Sequence, residues 1–348
     1  MFRKSFVSVG VVVAFLLVAA PAWACGGLVA PNGTINLVRT TTLAAYDDGV
    51  EHYVTAFNFV GAGGKFGSIV PLPDVPTKVV RAGDWTLQRL VLEVQPPAEE
   101  RFAALSSFDS AAGKAQVLLE TQVDSLDITV LRGGATEVGN WARENGFSLS
   151  PDAPEVLDFY ARRSPIFMAA KFNAKRAARQ GIDQGSSIPV HLTIPTDNPW
   201  VPLRILALGR QPAEAVEADV FLLTNDRPAL LAGASPVQAL ETGRPGLVLA
   251  RSGPASDQLM ADLRSDKGMG WMPKHMYLTY LKLDTLSKDL TYDLAIDVSG
   301  RGSPSPVDAG LTFPSVGSPE RPWAMWLAAA VIAAAAAAAL ARRRVRVA

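Results

Sequence analysis

Cysteine is all but missing from this 348-residue chain: Cys25 is the only one. A single cysteine excludes an internal disulfide framework and any cysteine-rich metal site. Histidine is scarce as well, with His52, His191 and His275 far apart in the sequence. No two of them stand at the i, i+4 spacing of a zinc-binding helix or in an H-x-H strand pattern. Only a site assembled by the fold could use all three. Charged residues make up 19% of the chain, below the ~25% of a typical soluble domain. The 33 Lys+Arg and 33 Asp+Glu cancel, which removes any compositional case for nucleic-acid binding.

Catalytic signatures are missing too. Neither G-x-S-x-G nor S-x-x-K occurs, so no serine nucleophile announces itself. The glycine-rich Gly61–Gly67 fails the G-x-x-x-x-G-K-[ST] pattern, because Phe59 stands where the first glycine belongs and Phe66 replaces the hydroxyl residue. It reads as a flexible strand connection, and no cofactor is expected.

What the chain does have is apolar residues, 49% in all, enough to bury a core, and two apolar runs at its ends. Arg3 and Lys4 precede an apolar stretch from Phe6 to Ala20, and Ala22-Trp23-Ala24 forms an A-x-A cleavage site before Cys25. Residues 1–24 therefore read as a secretory signal peptide. Cleavage there makes Cys25 the first mature residue, a candidate for lipidation, although Ala22 and Trp23 depart from the usual lipoprotein pattern. The alternative is a free or intermolecularly bridged thiol. At the other end, Trp323 to Ala341 is 19 residues without a charge, about 28 Å as a helix. Arg342, Arg343, Arg344 and Arg346 follow it. The expectation is a single-pass transmembrane helix with the N-terminus outside and a basic cytoplasmic tail at 342–348. Two of the basic residues lie in 1–24 and four in 342–348, which leaves 27 against 33 acidic, a charge of about −6 for the exported part.

Between the ends, β-branched and aromatic runs alternate with turn residues. Thr34–Tyr46 and Val50–Val60 flank Asp47-Asp48-Gly49, a hairpin signal. Strands are further expected at Phe66–Leu72, Ala115–Thr121, Leu126–Leu131, Ile166–Phe172, Ile188–Pro195, Val201–Leu208, Val216–Thr224, Tyr277–Leu283 and Leu290–Val298. Helices are expected over Asp84–Val94 (with a strand as the alternative for its second half), after Thr136 up to Asn145-Gly146, after Ser150-Pro151, and from Ser256 to Gly268. Basic Lys175–Arg179 reads as a connecting loop, and the Gly/Pro/Ser-rich 301–322 as a tether. The fold class expected is α+β: a β-rich extracytoplasmic domain at 25–300, split into two subdomains near the helical segment at 135–180, plus the C-terminal membrane helix.

Cys25-Gly26-Gly27, Phe66-Gly67-Ser68-Ile69-Val70-Pro71-Leu72-Pro73, Asn140-Trp141-Ala142-Arg143-Glu144-Asn145-Gly146-Phe147, Tyr160, Phe167-Met168-Ala169-Ala170-Lys171 and Pro199-Trp200-Val201-Pro202-Leu203-Arg204 form an ordered set. With Tyr277-Leu278-Thr279-Tyr280-Leu281 and Asp293-Leu294, this set resembles a bacterial exported family known as "domain of unknown function 2330". The resemblance covers most of residues 25 to 300 and implies architecture and location, with no assigned reaction. That family's pattern commonly carries a second cysteine soon after Cys-Gly-Gly, whereas Leu28 to Asn32 holds none.

The acidic pairs Asp47/Asp48, Glu99/Glu100 and Asp152/Glu155 sit in turns or helix starts, where turn hydrogen bonds and the helix dipole account for them. Two such carboxylates could serve a glycosidase only if the fold set them about 5–10 Å apart across a cleft. Pro199, Trp200 and Pro202 are the candidate binding surface, with Trp200 offered as a stiff apolar contact between prolines. The bland reading is a Trp packed under a strand start. The favoured function is binding or scaffolding at the cell envelope. Expected partners are the membrane, through the C-terminal helix, and an envelope protein or glycan, with no nucleic acid. The alternative is a cell-envelope hydrolase using acidic residues.

Overall fold

The computed structural model describes residues 27–29, 39–58, 67–94, 116–182, 187–231 and 245–297. All of them belong to the first of two compact units, 1–310; the second, 311–348, lies outside the described residues. In chain order the first unit runs β1 (Gly27–Val29), β2 (Thr40–Asp47), β3 (Val50–Asn58), β4 (Gly67–Leu72), β5 (Lys78–Arg81) and α1 (Thr86–Val94). Then come β6 (Gln116–Val123), β7 (Leu126–Arg132), α2 (Ala135–Glu144), α3 (Ala153–Ala161), β8 (Ile166–Phe172) and α4 (Ala174–Gln180). Last are β9 (Ser187–Pro195), β10 (Trp200–Val201), β11 (Ala215–Thr224), β12 (Ala229–Leu230), β13 (Leu247–Pro254), α5 (Asp257–Ser265), β14 (Tyr277–Leu286) and β15 (Leu294–Asp297).

The β2–β3 turn is the one the sequence announces: Asp48 and Gly49 both take positive φ, 47° and 78°, as a tight hairpin requires. Seven strands form the main sheet in the order β13-β14-β11-β2-β3-β9-β5, in which only the β11–β2 pair is parallel. A second sheet, β1-β4-β8-β7-β6, is antiparallel throughout. A small third one runs β10-β15-β12.

Strand alternation sorts the main sheet's residues onto two faces. One face presents Leu43, Ala45, Val54, Ala56, Phe221, Leu223, Leu278 and Tyr280, and α1 and α5 cover it with Leu87, Leu90, Leu259, Met260 and Leu263. The two helices are tied together at their ends. The Asp266 carboxylate, just past α5, accepts hydrogen bonds from the backbone N–H of Asp84 (3.0 Å) and Trp85 (3.0 Å) and from the Thr86 hydroxyl (2.8 Å). It caps α1 from another element and satisfies orphan donors of its first turn. A Cβ at position 83 would collide with Asp266 Oδ2, so Gly83 is what allows this approach.

Three expectations are corrected. Among the described residues no helix is long and apolar enough to cross a membrane. Among the described residues the fold class is therefore a β-rich α+β arrangement that holds no such helix. The run 323–341, the tether 301–322, the tail 342–348, the signal segment 1–24 and Cys25 lie outside the described residues. Residues 175–179, read as a loop, are the body of α4, whose Asn173 side chain caps Arg176 N–H and whose C-terminus closes on Gly181 at φ 65°. Val201–Leu208, read as one strand, holds only the end of the two-residue strand Trp200–Val201, followed by a 3-10 turn at Arg204–Ala207. Pro202 cannot donate to a ladder, and pairing stops there.

Candidate functional site

Register brings two of the three histidines together. In the antiparallel β3–β9 pair His52 faces Thr193 and Val54 faces His191, so both imidazoles stand diagonally on the same side of the sheet. His52 Nδ1 and His191 Nε2 are 2.9 Å apart, with ring centres 5.1 Å apart and planes 29° from parallel. A ring nitrogen lies a little over an ångström from its own ring centre. These distances therefore set both nitrogens close to the line joining the centres, in a head-on pair. The Trp271 indole lies flat over His52 at 3.7 Å and 8°, and reaches over His191 at 5.1 Å and 21°. Trp271 comes from the loop after α5 that Asp266 anchors, and its Nε1 is buried without a hydrogen-bond partner among the described residues.

Burial pulls the His52 pKa down to about 4 against a small opposing effect of Asp47. It takes His191 to about 3, helped by His52 and Lys78. Both rings are neutral near pH 7, and one donates to the other. His275 does not join them; its exposed ring lies 3.2 Å from Asp257. The three-histidine site is not assembled. Among the described residues no group of three or more His, Cys, Asp or Glu could hold a metal ion.

A second constellation forms where α3, the 3-10 turn and β15 meet. Asp293, fully buried, accepts from Tyr160 Oη (2.8 Å), Leu203 N–H (2.9 Å) and Arg204 N–H (2.8 Å) through Oδ1. Its Oδ2 accepts from an Arg163 guanidinium nitrogen at 2.8 Å. Tyr160 Oη in turn accepts from Ile205 N–H at 2.8 Å, so one buried carboxylate and one phenol hold the whole 3-10 turn. Arg163 spreads over the rings of Phe159, Tyr160 and Trp200 at 4.2, 5.2 and 4.9 Å, where its charge gains from the ring faces.

This clamp explains the fate of the expected binding surface. Trp200 is only 5% exposed, and Pro199 and Pro202 are buried beside it. Its indole stacks on Tyr160 at 5.5 Å. The Pro-Trp-Val-Pro segment is core and presents no surface contact.

Outside the clamp opens a cleft of about 450 Å³, bounded by Asp152, Glu155, Arg204, Arg210 and Lys288 among others. A second hollow of about 530 Å³ shares Ser150 and Pro151 with it. The cleft's two carboxylates are committed: Asp152 accepts from Gly209 N–H at 2.9 Å, and Glu155 pairs with Arg204. The Arg204 side chain is 14% exposed and stacked over Phe159 at 4.3 Å, while Glu155 is 66% exposed. The cation is fixed and largely buried, and the anion lies mostly in solvent. Arg210 is held by the carbonyls of Leu206 (2.9 Å) and Ala215 (2.7 Å), and burial lowers its pKa. Of the other acidic pairs, Asp47/Asp48 lies in the β2–β3 turn and Glu99/Glu100 falls outside the described residues.

Glu51 is a third buried carboxyl, on the face of β3 opposite His52. Its Oε2 accepts from Trp200 N–H at 3.4 Å, Oε1 has no partner among the described residues, and burial pushes its pKa up to about 8.

The family described as "Uncharacterized protein conserved in bacteria (DUF2330)" matches residues 19–239. This chain belongs to that family. The matched stretch of this DUF2330 protein carries His52, His191, Tyr160, Arg163 and Arg204, whereas Trp271, Lys288 and Asp293 lie beyond it. Curated proteins gave no match to the chain. Two solved structures show a low-level similarity. One is a mutated baculovirus P35 after caspase cleavage: 8% identity, 76% of this chain and 98% of that one, TM-score 0.40. The other is baculovirus P35: 9% identity, 75% and 91%, TM-score 0.37.

Neither the His52–Trp271–His191 stack nor the Asp293 clamp was readable beforehand. Their members are far apart in the chain, His52 lying 139 residues from His191 and Tyr160 133 from Asp293, and only the tertiary fold joins them.

Proposed function

We propose that this DUF2330 protein is an envelope binding module whose cleft takes an anionic, hydroxyl-bearing ligand of the acidic-glycan class. The observation that carries this reading is the Arg204–Glu155 pair. Arg204 is pre-organised from two sides, its backbone N–H on Asp293 and its guanidinium on Phe159, while the exposed Glu155 occupies the position a ligand carboxylate would take. A rigid guanidinium suits such an anion, and fixing it beforehand lowers the entropic cost of binding. Lys288 supplies a second, exposed cation whose nearest carboxylate, Asp289, is 3.9 Å away. Thr291 brings a hydroxyl-bearing side chain to the wall, and the volume is in the range of small-ligand pockets. Asp152 is held by Gly209 N–H and Glu155 faces the Arg204 cation, an arrangement that favours anion binding over an acid–base pair.

Export belongs to the same reading and rests on the signal-like segment before Cys25. Intact mass of the protein recovered from its native host tests it: loss of residues 1–24 is expected, and retention of them refutes it.

For the cleft, the full chain is titrated calorimetrically with glucuronate and, in parallel, with glucose. Glucuronate is expected to bind and glucose not. Arg204→Gln should weaken glucuronate by roughly 10- to 100-fold, the worth of one charge-assisted pair. Glu155→Gln should strengthen it by removing the internal competitor. Equal binding of the two sugars, or both variants moving affinity in the same direction, would overturn the reading.

A further inference from the structure

We propose that His52 and His191 form a two-coordinate site for a soft monovalent cation, Cu(I), with Ag(I) as its stand-in. The head-on geometry carries the argument. In the metal-free pair one nitrogen donates to the other along the line of ring centres, 2.9 Å end to end. A linear N–M–N unit replaces that shared hydrogen with a metal on the same axis. With each bond ~2.0 Å, the nitrogens must separate to about 4 Å. That is an opening of roughly one ångström between side chains of neighbouring strands under a loop-borne indole.

The choice of metal follows from what is not there. Zn(II) in a protein takes four ligands, and Cu(II) or Ni(II) a tetragonal set. Among the described residues no third His, Cys, Asp or Glu joins the pair. An ion content with two imidazoles is therefore required, and a single positive charge is also far less costly to bury than two. Trp271 adds a specific attraction: its indole lies flat on His52 at 3.7 Å and 5.1 Å from His191, near enough for a cation held between them to interact with the ring quadrupole. The surrounding cluster, which includes Met269, Met272 and Met276, keeps the spot apolar. The charged groups nearby oppose each other: Asp47 on the His52 side favours a cation, and Lys78 on the His191 side disfavours it.

The test uses the full chain carrying Cys25→Ser, so that the lone thiol cannot compete for the metal. Cu(I) is titrated anaerobically against a chromophoric bicinchoninate competitor, and Ag(I) is followed by tryptophan emission. One equivalent is expected, with a change in indole fluorescence that disappears in Trp271→Phe. His52→Gln and His191→Gln should each weaken Cu(I) by at least about 100-fold, while His275→Gln leaves it unchanged. X-ray absorption of the loaded protein, which needs no variant to fold, should show two short nitrogen neighbours and no sulfur. No uptake, binding indifferent to either His→Gln change, or a three- or four-ligand shell would overturn the assignment. Because this site shares no residue with the cleft, its fate is independent of glucuronate binding.

Discussion

Removing the Asp293 carboxylate should come close to unfolding the protein. Asp293→Ala strands four donors at once: the Tyr160 hydroxyl, the Arg163 guanidinium and the N–H groups of Leu203 and Arg204. Breaking a buried ion pair from one side costs about 3–5 kcal/mol, and each stranded N–H adds about 1–3 kcal/mol unless water reaches it. Water entering from the adjacent cleft would relieve part of this, so a loss of about 5 kcal/mol is expected, against the roughly 5–15 kcal/mol that hold a domain together. Asp293→Asn separates the contributions. Its Oδ1 can still accept from Tyr160, Leu203 and Arg204, and only the Arg163 bond on Oδ2 is lost, so it should cost about 3 kcal/mol. Adding Arg163→Met to Asp293→Asn removes the charge that has lost its counter-ion and should recover part of that loss. Urea unfolding at pH 7, followed by circular dichroism with unchanged m-values, reads all three. If Asp293→Ala costs less than about 1 kcal/mol, or Asp293→Asn is as damaging as Asp293→Ala, the clamp is not what holds the 3-10 turn.

Glu51 makes stability depend on pH in a definite direction. Its folded pKa of about 8 stands above the ordinary 4.5, so its contribution is fully present below pH 4.5 and is lost as pH rises through 8. The fall amounts to about 5 kcal/mol. In metal-free protein, Glu51→Gln, which keeps an acceptor for Trp200 N–H, should flatten the stability–pH curve between pH 4.5 and 8; an unchanged slope in that window refutes the assignment. Asp266→Ala removes the cap on α1 and should cost about 2 kcal/mol, with faster hydrogen exchange confined first to Thr86–Leu90. Uniform exchange across the chain would count against a local cap. Gly83→Ala pushes a methyl into Asp266 and Thr86 and should cost about 1–3 kcal/mol; a wild-type melting temperature would show that the helix end can give way.

Local signals were read correctly where the physics is local. Asp48-Gly49 turns the β2–β3 hairpin, Asn145-Gly146 ends α2 with Gly146 at φ 79°, and Ser256 caps α5 through Leu259 N–H. The helix at 174–180 was missed because Lys175, Arg176 and Arg179 read as a solvated loop, although Asn173 before them and Gly181 after them are cap residues. Non-local placement was not accessible. Nothing near Trp200 announces that Tyr160 and Arg163 will enclose it, and nothing near His52 announces that β9 will set His191 beside it in head-on register. Charges within the cleft could be named, as with Asp152 and Glu155, but their partners Gly209 and Arg204 are more than 45 residues away.

The main sheet contains a scheduling problem. β2 and β3 are adjacent in sequence and can pair as soon as both are made, yet β3's other neighbour is β9 and β2's is β11, joined in parallel with Thr42 beside Val220. Until residues near 224 have left the ribosome, both flanks of that hairpin stand open, with bare amides and an apolar face. Such an edge recruits any strand within reach, and its true mates are distant in sequence, which slows closure. A chaperone that shields residues 40–58 would therefore raise the yield of folded chain more than one acting on any later segment.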